Sequence, residues 1–129
     1  CNIPWLILID PTSACNLHCT GCWAAEYGNR LNLTYNDLDS VITQGKELGI
    51  YFYMYTGGEP LVRKDDIIKL CKKHNDCAFH AFTNGTLVDE AFCEQMKEVF
   101  LSVWKDLRKL MISEEAQVCM KKYCMLWIC

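Results

Sequence analysis

No apolar stretch in the 129-residue chain approaches the ~20 residues that a membrane-spanning helix requires. The opening, Cys1 to Asp10, lacks the basic flank of a secretory signal. There is no basic stripe either. The thirteen Lys and Arg residues are scattered singly or in pairs and the net charge is −3, so neither nucleic acid nor an acidic membrane is an expected partner. Internal repeats and low-complexity linkers are also missing, and the length suits one domain with enough apolar residues to build a core. These absences point to a soluble, cytoplasmic protein. The chain begins at Cys1 without an initiator Met, so a segment upstream of it is expected.

What the sequence has in quantity is cysteine, ten in all. In a short secreted chain that count would read as a disulfide scaffold. Long helix-like and strand-like runs that can bury a core without staples argue against it here. Cys15, Cys19 and Cys22 form one tight cluster, Cys119, Cys124 and Cys129 lie near the end, and Cys1, Cys71, Cys77 and Cys93 are dispersed.

The apolar run Trp5 to Ile9, ended by Asp10-Pro11, predicts a first strand buried on both faces. From Thr34, an N-cap residue, Leu38, Val41, Ile42 and Leu48 recur at helical spacing until Gly49. Ile50 to Thr56 alternates as a second strand, with its tyrosines read as core packing, and stops at Gly57-Gly58. Asp65 to His74 reads as a helix, acidic in its first turn and basic in its last. Ala78 to Thr83 reads as a third strand ending at Asn84-Gly85, and Val88 to Lys97 as a third helix. Such alternation implies an α/β fold of parallel βα units, and an open sheet and a barrel share that pattern. In either, the loops after the strands carry the site, and here they hold the cysteine cluster, Gly57 to Pro60 and Thr83 to Gly85.

Cys15-Asn-Leu-His-Cys19-Thr-Gly-Cys22 puts three thiols on one loop, with small Thr20 and Gly21 allowing a tight fold between the last two. Iron–sulfur clusters usually take four thiolates, so three without an obvious fourth leave one iron open to an outside ligand. Zinc is the alternative, with His18, His74 or His80 as fourth ligand, although no second CxxC-like knuckle appears. An electron carrier would need a fourth cysteine at a recognisable spacing, and a Cys19–Cys22 redox dithiol would leave Cys15 idle. Gly57 and Gly58 read as positions where a missing side chain leaves room for a ligand, with Glu59 adding a carboxylate and Pro60 fixing the loop; an ordinary Gly-Gly turn is the plain alternative.

CxxxCxxC after a first strand, followed by Gly-Gly-Glu-Pro after the second, closely resembles the radical S-adenosylmethionine superfamily. The resemblance covers roughly Pro4 to Val103, including Thr12 and Thr83-Asn84-Gly85. It implies a partial TIM-like (βα) barrel, of which this chain would supply about the first half. It also implies a [4Fe–4S] cluster on Cys15, Cys19 and Cys22, with S-adenosylmethionine on the fourth iron. Reductive cleavage to a 5′-deoxyadenosyl radical would then lead to hydrogen abstraction from an unknown substrate, with flavodoxin or ferredoxin as electron donor. The implied cofactor-binding residues are Gly57, Gly58, Glu59, Pro60, Asn84 and Ser102. One position departs from the pattern: an aromatic residue often precedes the third cysteine, where this chain has Gly21, so Trp23 is the substitute or adenine is held elsewhere.

The family-like portion is assigned to 1–103 and an atypical tail to 104–129. Phe100, Val103, Trp104, Leu107, Leu110 and Met111 have the spacing of an amphipathic helix. Reading each codon's third base with the next codon's first two instead gives a peptide beginning Glu-Gly-Phe, a better continuation of a fourth strand. The tail is therefore expected to be translated out of frame, which would make the chain a fragment, with an inert truncated product as one alternative.

Overall fold

A computed structural model describes residues 3–28 and 30–97, with the side chains of residues 25 and 26 left aside. The chain runs through strand β1 (Ile7–Ile9), helix α1 (Tyr35–Glu47), strand β2 (Phe52–Tyr55), helix α2 (Lys64–Lys73) and strand β3 (Ala78–Ala81), and is helical again over 90–97. Short 3-10 turns cover Trp23–Tyr27 and Pro60–Arg63. The strands form one parallel sheet in the order β1-β2-β3. The α/β class and the alternating order are as expected from sequence.

Local chemistry explains the boundaries. Thr34 caps α1 through a reciprocal capping box, its hydroxyl accepting from the Asp37 N–H while Asp37 accepts from the Thr34 N–H. Gly49, at φ 86°, takes the left-handed turn past the end of α1. Asp89 accepts from the Phe92 N–H at 2.7 Å, so the last helical segment starts after Asp89 and Val88 precedes it.

Strand alternation sends Ile7, Ile9, Tyr53, Tyr55, Phe79 and Ala81 to the face that the helices cover. Leu38 and Ile42 of α1 and Ile67, Leu70 and Cys71 of α2 complete that core, and Phe92 and Met96 pack on its margin. Tyr53 lies with its hydroxyl 2.9 Å from both the Ile42 and the Ile50 carbonyl oxygens, tying β2 to α1. Gly45 is glycine because a Cβ there would run into that hydroxyl.

Two expectations are corrected. Regular β1 pairing begins at Ile7, and the strand is covered on one face: Leu8, in register with Met54 and His80, is 58% exposed. The helix expected from Thr34 to Gly49 is there, with Val41 on its exposed side and Leu48 exposed as its C-cap residue. Among the tyrosines, Tyr53 and Tyr55 are core, whereas Tyr51 precedes the strand and is half exposed. Residues 98–129, and with them the proposed tail and Ser102, lie outside the described residues.

Candidate metal and cofactor site

The cysteine loop leaves the sheet at the C-terminal end of β1 and returns to α1 through a pinned neck. Ser13 N–H donates to Leu31 O (2.8 Å), Leu33 N–H to Pro11 O (3.1 Å), and Leu31 N–H to Ser13 Oγ (3.0 Å). Buried Thr12 donates its hydroxyl to Asn32 Oδ1 and accepts from the Ala14 N–H. Arg63, from the turn before α2, closes the neck: its Nη1 donates to the carbonyls of Pro11 and Leu33, and its Nη2 pairs with Asp66 at 2.6 Å.

The Gly57–Pro60 loop runs beside the outgoing strand of that neck. Gly58 N–H donates to Thr12 O (3.0 Å) and Glu59 N–H to Ala14 O (2.8 Å), so two consecutive backbone donors tie this loop to the segment leading to Cys15. The approach is close enough to exclude side chains. A Cβ on Gly58 would meet Ala14 O and come within 2.6 Å of Ser13 O, and one on Gly57, at φ 101°, would stand 2.6 Å from Thr12 O. The space left by the missing side chains is therefore taken by the backbone leading to Cys15.

Glu59 is 1% exposed. Its Oε1 accepts from the Leu61 N–H (2.9 Å) and the Thr83 hydroxyl (2.7 Å), and its Oε2 from the Asn84 N–H (2.7 Å). One carboxylate thus satisfies three donors and joins the loop after β2 to the loop after β3. Pro60 is buried at the start of the 3-10 turn. Asn84, half-buried, reaches the cysteine loop by donating from Nδ2 to Asn16 Oδ1 (3.0 Å). The structure therefore gathers the three sequence motifs at one end of the sheet.

Cys15 and Cys22 are half-exposed and Cys19 is exposed, and none is in a disulfide. The Cys22 N–H bonds to Cys19 O at 3.2 Å, and the Leu17 N–H contacts Cys15 Sγ at 3.4 Å. Among the described residues no three His, Cys, Asp or Glu groups are gathered to hold a metal ion. The donor set still fits an iron–sulfur cluster, because three accessible thiols lie within eight residues of one loop whose neck is anchored elsewhere. Cys71 and Cys77 differ in kind. Both are fully buried in the hydrophobic core, and that burial pushes their thiols up to about 12 and about 11. His18 is exposed, His74 is held by Asp39 at 2.8 Å near the end of α2, and His80 lies within β3. Trp23 and Tyr27 form an edge-to-face pair beside Cys22, both more than half exposed.

Sequence reasoning missed Arg63, Asn32, Asn16 and Thr86. Arg63 left no signal, since its partners Pro11 and Leu33 are backbone carbonyls 52 and 30 positions away. Asn16 and Thr86 stand beside motif residues, and that adjacency was the available clue.

Residues 9–104 match the Radical SAM superfamily. The chain is 32% identical over 97 residues to an uncharacterized protein of Archaeoglobus fulgidus, covering 74% of this chain and 23% of that one. It is 31% identical over 103 residues to an Fe-coproporphyrin III synthase of Methanosarcina barkeri, covering 75% and 25%. It is 32% identical over 82 residues to a probable GTP 3′,8-cyclase of Methanothermobacter thermautotrophicus, covering 60% and 27%. The chain thus spans about a quarter of the length of these curated relatives. No solved structure matches it significantly. Among the described residues no helix is long and apolar enough to cross a membrane.

Proposed function

From the premise that the chain belongs to the radical S-adenosylmethionine superfamily, we propose that it carries the cofactor-binding portion of an enzyme using a [4Fe–4S] cluster and S-adenosylmethionine. Cys15, Cys19 and Cys22 hold three irons as thiolates. When bound, the cluster and S-adenosylmethionine would supply radical chemistry for hydrogen abstraction from substrate. The observation that carries this reading is that the family match spans a loop with three unpaired thiols at the same sheet end as Gly57 to Pro60.

In this reading the chain's own groups bind and orient. Backbone carbonyls of the Gly57–Pro60 loop would hold the methionine ammonium, while the Glu59 carboxylate, occupied by three donors, acts by fixing the loop's course. Asn84 would line the cofactor pocket, Ser102 is assigned to cofactor binding by the family resemblance alone, and Trp23 offers an exposed ring for adenine. The three parallel strands belong to the first half of a partial barrel: residues 1–103 form the N-terminal part of the core domain, and 104–129 are an out-of-frame tail. Flavodoxin or ferredoxin supplies the electron, in a cytoplasm reducing enough to keep the thiols free. The relatives' names cover different reactions, an iron porphyrin synthase and a GTP cyclase, which supports placing substrate choice in residues beyond this portion. The test is spectroscopic: added S-adenosylmethionine should change the EPR signal of the reduced cluster, and a signal indifferent to it would overturn the assignment.

A further inference from the structure

The cysteine loop meets the loop after β3 in a closed ring of side-chain hydrogen bonds. Asn84 donates from Nδ2 to Asn16 Oδ1 (3.0 Å), Asn16 donates from its own Nδ2 to Thr86 Oγ1 (2.7 Å), and Thr86 donates its hydroxyl proton to Asn84 Oδ1 (2.7 Å). The Thr86 N–H adds a second bond to the same Asn84 oxygen at 3.0 Å. Every member gives and accepts once around the ring, an arrangement in which each bond polarises the next. Asn16 and Thr86 are exposed and Asn84 is half-buried, so apolar packing does not account for the contact.

Its position gives the ring a consequence. Asn16 directly follows Cys15, and Ala14 directly precedes it. Ala14 is held through its carbonyl by the Glu59 N–H, and Asn84 is held through its own N–H by the Glu59 carboxylate. Cys15 is thereby fixed on both sides by groups that converge on Glu59. Cys19 and Cys22 lie beyond the ring, joined to each other by a turn. We propose that Asn16, Asn84 and Thr86 are positioning residues, a clasp that presents Cys15 as the anchored first ligand while Cys19 and Cys22 close on the metal. This rests on the cluster reading given above, and it assigns the ring a role in loop order and cluster assembly.

Thr86→Val and Thr86→Ser in the full chain separate hydroxyl from volume. In the apo protein, amide hydrogen exchange over residues 15–19 should quicken roughly three- to tenfold in Thr86→Val, stay near wild type in Thr86→Ser, and be unchanged at Tyr53 in both. Iron uptake during anaerobic reconstitution with ferrous iron and sulfide should slow by a similar factor in Thr86→Val and in Asn16→Ala. The double variant should be no slower than Asn16→Ala alone, because the ring opens as a unit. Thr86→Val indistinguishable from wild type in exchange and uptake, or Thr86→Ser as impaired as Thr86→Val, would overturn the clasp while leaving the cluster assignment standing. A wild-type chain that takes up no cluster would overturn the assignment itself and the clasp's part in assembly.

Discussion

Gly58→Ala tests whether the glycine pair is there for the protein's own backbone. The added Cβ would meet the Ala14 carbonyl and stand 2.6 Å from the Ser13 oxygen, about 0.8 Å inside ordinary van der Waals contact. Both obstacles are backbone atoms, and the segment they belong to is pinned at the neck, so no side chain can swing away. Overpacking of this kind costs about 1–3 kcal/mol, and parting the two segments also strains the Glu59 N–H to Ala14 O bond, about 1 kcal/mol more. A loss of about 2–4 kcal/mol corresponds to a fall of about 10–20 °C in the thermal midpoint of a domain near this size. Because the displaced backbone runs into Cys15, iron uptake should fall together with stability. Calorimetry of the apo chain and iron content after reconstitution are the assays. A variant within about 0.5 kcal/mol of wild type that loads iron normally would refute the steric argument.

The cysteines should sort by environment: iodoacetamide applied to the native apo chain should label Cys15, Cys19, Cys22 and Cys93 rapidly and spare buried Cys71 and Cys77, as read by peptide mass spectrometry. The two core tyrosines should respond oppositely to loss of the hydroxyl. Tyr53→Phe gives up the link to the Ile42 and Ile50 carbonyls and should destabilise by about 1 kcal/mol, whereas Tyr55→Phe removes a buried hydroxyl with no partner among the described residues and should be neutral or stabilising in urea unfolding. Hydrogen bonds from Lys73 and then His74 hold the Asp39 carboxyl below its usual 3.8. A depressed carboxylate contributes stability above its unfolded value and loses it as pH falls through the folded one, so Asp39→Asn should flatten the acid limb of the stability profile below about pH 3.8.

Much of the fold was legible because each element carried its own local signal. Thr34, Asp37 and Gly49 bracket α1, the acidic start and basic end mark α2, and the tyrosine alternation marks β2. Coverage of the sheet was not legible: Trp5 to Ile9 is apolar throughout, and an apolar run does not say whether one face or two will be covered. The three site motifs could be placed at one sheet end because parallel βα units bring their loops together. The physical use of two of them could not. Gly57 and Gly58 read as room for a ligand, where the backbone of residues 12–14 in fact lies, and Glu59 reads as a carboxylate added beside that ligand, whereas its oxygens are taken by three donors of the chain itself. Apart from the Leu61 N–H, the partners behind these roles lie more than 20 residues away, which spacing within a motif does not encode.

The most direct test of the central claim is iron and sulfide content, with the absorbance spectrum, after anaerobic reconstitution of the wild-type chain and its cysteine variants. The account predicts about four irons per chain and a brown protein for wild type and for Cys71→Ala, Cys77→Ala and Cys93→Ala, and loss of the cluster in Cys15→Ala, Cys19→Ala and Cys22→Ala. Full loading of Cys19→Ala, or a colourless wild-type chain that binds zinc through the same thiols, would contradict it.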